Sequence, residues 1–101
     1  MTKVFDPGQF STMTGGDADL QREIVDLFRG QVPGWRARLM QDDAQDRADA
    51  AHTIKGSARA MGLFVLAAAC EAAEALPERE QVDGLLEALD EALAALDQWG
   101  G

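Results

Sequence analysis

The chain has 101 residues, 47% of them apolar and 6% aromatic, with no Tyr. That length suits one domain over residues 1–101, and the abundance of Ala and Leu favours helix over strand. A formal charge of −9 repels phosphate backbones and anionic lipid, so neither nucleic acid nor a membrane surface is an expected partner. No apolar stretch approaches the roughly 20 residues that span a bilayer, and no apolar run resembles a signal peptide, so a cytoplasmic location is expected. The one cysteine, Cys70, falls among alanines and reads as a buried small hydrophobe.

Charge is unevenly spread. From Ala60 onward there are nine acids and one base, Arg79, whereas residues 1–59 hold nine acids and eight bases. A site that attracts a negative group is therefore expected in the first sixty residues. The acidic face of the last two helices reads as solvated surface.

In chain order, Asp6-Pro7-Gly8 has turn chemistry, and a short helix over about 6–14 follows with Phe10 and Met13 inward. Gly15-Gly16 breaks it, and Asp17 suits the N-cap of the next helix. From Ala18 to Met40 the residues Leu20, Ile24, Leu27, Phe28, Val32, Trp35 and Leu39 form a helical stripe. Pro33-Gly34 interrupts it; because the stripe stays in register beyond the break, a kink is expected rather than two helices. Asp42 or Asp43 caps a third helix running to Met61, with Gly62 as its left-handed terminator. A fourth covers about Leu63 to Leu76, with Leu63, Leu66, Ala67, Cys70 and Ala73 inward, and Pro77 ends it. The last, about Glu80 to Gln98, carries Val82, Leu85, Leu86, Leu89, Leu93 and Leu96. Gly100-Gly101 reads as a frayed end. The pattern predicts an all-α fold, an antiparallel four-helix bundle over about 18–98 with a short N-terminal helix, and full stripes with short loops predict a monomer. Trp35 and Trp99 read as packing residues.

The informative segment is Ala51 to Gly62. On a helical wheel Ala51, Ile54, Ala58 and Met61 share one arc, the core face, and His52 points away from it to solvent. Lys55, Gly56 and Arg59 follow at i+3, i+4 and i+7, on the histidine's face. Glycine costs about 1 kcal/mol relative to Ala inside a helix, so its use at 56 reads as clearance for another protein's approach to the imidazole. Lys55 lies about 4.5 Å along the axis from His52, within reach of a phosphoryl oxygen on the ring. A neutral imidazole is nucleophilic, and in-line phosphoryl transfer needs mainly positioning and charge neutralisation. The divalent metal and the aspartate nucleophile can then belong to the partner. One histidine with Asp49 at i−3 offers too few ligands for zinc, and no cofactor is expected.

His52, Lys55, Gly56 and Gly62 resemble the histidine-containing phosphotransfer (HPt) motif H-x-x-K-G-x-x-x-x-x-G at all four fixed positions. Ser57 and Ala58 match the small residues that follow the Lys-Gly pair, and Leu63 suits the apolar position after the second glycine. The resemblance extends to chain length, the preceding helix with Phe28 and Leu39, and an acidic fourth helix with Glu71 and Glu74. It implies that His52 takes a phosphoryl group at Nε2 from a receiver-domain aspartate or a histidine kinase and passes it to another receiver. It also implies that Lys55 neutralises phosphate charge, that Gly56 gives access, and that Mg2+ resides on the receiver. Expected partners are response-regulator receiver domains and a histidine or hybrid kinase.

Other residues keep two readings. Arg59 is either a surface charge or a phosphate or partner contact. Asp49 is a solvated residue, or its carboxylate biases the histidine. Gln31 is a surface residue or a hydrogen-bond partner of the phosphorylated ring. Family members dock receivers through an apolar patch beside the histidine, for which Ala48 and the end of the preceding helix are candidates. The chain has no Gly-rich nucleotide loop and is expected to be a carrier rather than an enzyme. The alternatives are a phosphorylation-independent adaptor and a detached phosphoacceptor domain of a chemotaxis-type kinase.

Overall fold

The computed structural model describes residues 3–99. Five helices follow one another: α1 (Pro7–Thr14), α2 (Ala18–Leu39), α3 (Ala44–Met61), α4 (Phe64–Ala75) and α5 (Arg79–Trp99). The expected fraying at Gly100 and Gly101 lies outside the described residues. Helices α2 to α5 run up and down as an antiparallel bundle, in which α3 packs on α2 and α4, α4 on α5, and α5 back on α2. Among the described residues there is no strand, and no helix is long and apolar enough to cross a membrane.

Aspartates start the first three helices. Asp6 accepts from the Gln9 amide at 3.1 Å, Asp17 from Asp19 and Leu20, and Asp43, not Asp42, from Gln45 and Asp46. Each such cap is worth about 0.5–2 kcal/mol. Helix α4 begins at Phe64, with Leu63 as an N-cap that makes no side-chain bond.

The α2 stripe needs correction. The buried row is Val25, Phe28, Val32, Trp35 and Leu39. Leu20 and Leu27 are exposed, and with Ile24 and Gln31 they form a second row on the flank facing α1 and α3. Helix α2 also runs as one element through Pro33. A mid-helix proline costs roughly 3 kcal/mol, but burying a large apolar side chain returns about 1.5–3 kcal/mol. With Val32, Trp35 and Leu39 all buried around or beyond the proline, continuity wins. Trp35 meets Phe28 edge to face, their centroids 5.3 Å apart.

Helix α1 covers the end of the bundle where α3 stops. Phe10 is fully buried, and its ring joins those of Phe5 and Trp99 in a T-shaped cluster with centroids 5.5–5.9 Å apart. Met13, expected inward, is exposed. The buried partner of Phe10 one turn on is Thr14, whose hydroxyl donates to the Phe10 carbonyl at 2.8 Å. Gly62 has φ +77°, and its carbonyl accepts from the Asp6 amide at 2.9 Å. A Cβ there would lie 2.7 Å from the Asp6 carbonyl oxygen. The residue must therefore be glycine on two counts, left-handed backbone and contact with the N-terminal segment. At the opposite end Arg47 ties two loops together, donating to the Pro77 and Gln41 carbonyls at 2.9 and 2.6 Å.

Candidate functional site

His52 lies in the middle of α3 on the side away from Ala51, Ile54 and Ala58, which are fully buried. Its side chain is 69% exposed. Gly56, one turn on, faces open space, since an added Cβ would meet nothing within 4 Å. Gly30, Gly34 and Gly84 are equally open, so what sets Gly56 apart is its position beside the imidazole.

Lys55 is placed differently from the expected free cation. Its side chain is only 16% exposed and lies in the groove between α3 and α4, where its ammonium meets Glu74 Oε2 at 2.5 Å. The other carboxylate oxygen of Glu74, Oε1, lies 2.8 Å from His52 Nδ1. Glu74 thus bridges the histidine and the lysine. The Lys55 ammonium first, and the His52 ring second, hold its carboxyl below the ordinary glutamate range. Arg59 reaches across the same groove to Glu71.

These contacts revise the reading of the acidic helices as plain solvated surface. Glu71 and Glu74 pair with bases of α3, while Asp90 and Asp97 of α5 pair with Arg36 and Arg29 of α2. Lys55 and Arg59 lie in the first sixty residues, but acids from the last forty neutralise both cations. Cys70, buried in the same helix as Glu74, has its thiol pushed up to about 12, chiefly by burial, and is inert at neutral pH.

Asp49 turns to Gln45, which donates to it at 2.8 Å, and makes no bond to His52. Ala48 is half-buried rather than exposed. Gln31 lies nine residues before the α2–α3 loop (40–43) and His52 nine after it, so equal rise sets them at one level of the hairpin. No hydrogen bond joins them. Gln31 instead lines an apolar groove with Met13, Ile24, Leu27, Phe28, Ser57, Ala60 and Met61. Leu27, 62% exposed, is its most prominent apolar side chain. Neither Ala48 nor the end of α2 lines this groove. At the end of α2 the exposed residue, Met40, lines a separate cleft with Arg47 and Arg79 near the far loops.

In the sequence Glu74 stands out only as part of an acidic helix. Hairpin arithmetic marks it, because His52 lies ten residues before Gly62 and Glu74 eleven after Leu63, at nearly the same rise from a tight turn.

An exposed imidazole halfway along a bundle helix, a lysine tied to it through a shared carboxylate and an open glycine one turn away define a histidine-bearing bundle whose imidazole faces solvent. The Hpt domain family matches residues 18–99, and the chain belongs to that family. Among solved structures, the histidine phosphotransferase ShpA from Caulobacter crescentus is similar, with a TM-score of 0.82 at 33% identity over 97% of this chain and 91% of ShpA. No curated protein matches the chain.

Proposed function

We propose that the chain is a phosphorelay carrier whose phosphoacceptor is His52. Membership of the Hpt family and likeness to a histidine phosphotransferase support the carrier role in general. The observation that carries the residue assignment is the exposure of the one histidine in the chain at mid-helix, its Nδ1 engaged and its other nitrogen unengaged among the described residues. In this reading Nε2 takes the phosphoryl group from a receiver aspartate or a histidine kinase and gives it to a second receiver. Lys55 neutralises phosphoryl oxygens, Gly56 leaves room for the partner's aspartate, and Arg59 answers charge at the edge of the interface. The divalent metal sits on the receiver. The chain acts as one Hpt domain, a cytoplasmic monomer without its own ATP chemistry.

The receiver docks over the groove that Leu27 and Gln31 line, since this is the apolar surface at the level of His52 and Gly56. The test is transfer of label from phosphorylated receivers of the same genome to wild type and to His52→Gln. Acid-labile, base-stable label is expected on wild type alone, with the helical circular dichroism of the variant unchanged. Binding of a receiver without labelling of wild type would favour the adaptor reading instead.

A further inference from the structure

Pro33 has no N–H, so the Arg29 carbonyl four residues earlier lacks the donor an α-helix would give it. Gly30 and Gly34 stand on either side of the gap, and an added Cβ at either would meet nothing within 4 Å. Glycine and proline are the poorest helix formers, and residues 30–34 combine three of them. Within that stretch Val32 is the buried residue, while Gly30, Gln31, Pro33 and Gly34 are exposed. Core anchors flank it instead, Val25 and Phe28 before and Trp35 and Leu39 after.

The two sides of α2 are held differently. Toward α5, Arg29 meets Asp97 at 2.5 Å before the stretch, and Arg36 meets Asp90 after it. Both pairs are exposed, hence weak and screened by salt, and α2 packs more sparsely on α5 than α4 does. Toward α3, no hydrogen bond or ion pair joins the two helices among the described residues, and the apolar groove lies between them. The α2 side chains that line this groove, Ile24, Leu27, Phe28 and Gln31, all precede Pro33.

We propose that residues 30–34 are a hinge within α2, about which the preceding half swings against α3 to widen or narrow the receiver groove, with the Arg29–Asp97 pair limiting the swing. That the groove takes a receiver rests on the carrier reading above; the hinge itself does not. A missing bond in mid-helix lets one half move as a unit while the other keeps its core contacts. Trp35 and Leu39 seat the second half, so the change of bend falls on the first. Leu27, exposed on the groove and less than two turns before Pro33, then shifts relative to His52 on α3. One carrier can thereby fit donor and acceptor receivers whose docking faces differ in shape.

Amide hydrogen exchange followed by NMR tests the hinge without a partner, on wild type, Pro33→Ala and Asp97→Asn, each with a thermal melt. In wild type the amides of Gly34 to Ala37, whose helical bonds cross the stretch, should exchange at least about tenfold faster than those of Ala51 to Ala58 in α3. Taking the ratio to α3 discounts a change in global stability. In Pro33→Ala, which restores the missing donor, that ratio should fall at least about tenfold. In Asp97→Asn it should rise by up to about fivefold, the worth of an exposed ion pair. By calorimetry, a receiver that loads wild type should bind Pro33→Ala about threefold to tenfold more weakly although the variant melts higher, because the restored bond favours the unbent helix. Equal exchange in α2 and α3 of wild type, or an unchanged ratio in Pro33→Ala, would overturn the hinge. Binding of Pro33→Ala as tight as that of wild type would overturn its part in docking. Failure of every receiver to bind or load wild type would instead strike the carrier reading, and the exchange ratios would still decide the hinge.

Discussion

Four residues of α3, His52, Lys55, Gly56 and Arg59, occupy one side of a helix, yet the structure gives them unlike surroundings. His52 and Gly56 face outward, while Lys55 and Arg59 bend to carboxylates of α4. The glycine is the simplest to test. Because nothing among the described residues touches the space a Cβ would take, Gly56→Leu should raise stability slightly, by up to about 1 kcal/mol, since leucine is the better helix former. Transfer from a phosphorylated receiver should nonetheless fall by about fivefold to a hundredfold, as a clash in a packed contact costs about 1–3 kcal/mol. Rapid-quench transfer together with a thermal melt checks both halves. A variant as fast as wild type would mean that no partner atom comes close to position 56.

At the scale of the element, the two glycines of the motif act for different reasons. Gly56 leaves space outside the molecule, whereas Gly62 is pressed by the N-terminal segment and sits at positive φ. Gly62→Ala is therefore expected to cost about 1–3 kcal/mol, from the left-handed backbone and the approach of the Asp6 carbonyl. For a domain of this size that corresponds to a fall of roughly 5–20 °C in the melting midpoint. Gly84→Ala in α5 is the control, since that glycine is helical and open and the change should stabilise by up to about 1 kcal/mol. A Gly62→Ala melt as high as that of wild type would show that the contact with the N-terminal segment yields without cost. The capping aspartates and the Arg47 bonds between loops belong to this scale too, because they decide where helices stop and how their ends are held.

Across the whole molecule, charge and apolar surface are divided between faces. The α2–α5 pairs Arg29–Asp97 and Arg36–Asp90 are exposed, so each is worth only about 0–1 kcal/mol and stability rests on the core instead. Their effect is to neutralise Arg29 and Arg36 of α2 in a chain whose net charge is −9. The apolar flank of α2 is a contrasting feature at the level of His52. Leu27→Asp should weaken receiver binding by about tenfold or more, read by calorimetry, while a side chain this exposed should leave the melt nearly unchanged. Binding equal to that of wild type would move the docking site off this groove.

The amino-acid pattern by itself determined the helices, their caps and the outward direction of His52. These depend on local spacing: three- and four-residue apolar steps, aspartate before a helix, glycine after one. It also marked Gly62, whose left-handed role is local, and the core row of α4, where Leu63, Leu66, Ala67, Cys70 and Ala73 are all buried. It misplaced Met13, Leu20 and Leu27, because an apolar residue on the flank of a stripe looks the same in sequence as one at its centre. Only the neighbouring helix decides which of the two it is. The same limit hid the partners of Lys55 and Arg59 and the bridge through Glu74. Whether a glutamate on one helix touches a histidine 22 positions earlier depends on the rotation and level of two packed helices. Those are fixed by side-chain interdigitation in the core, a property of the assembled bundle and not of any single segment.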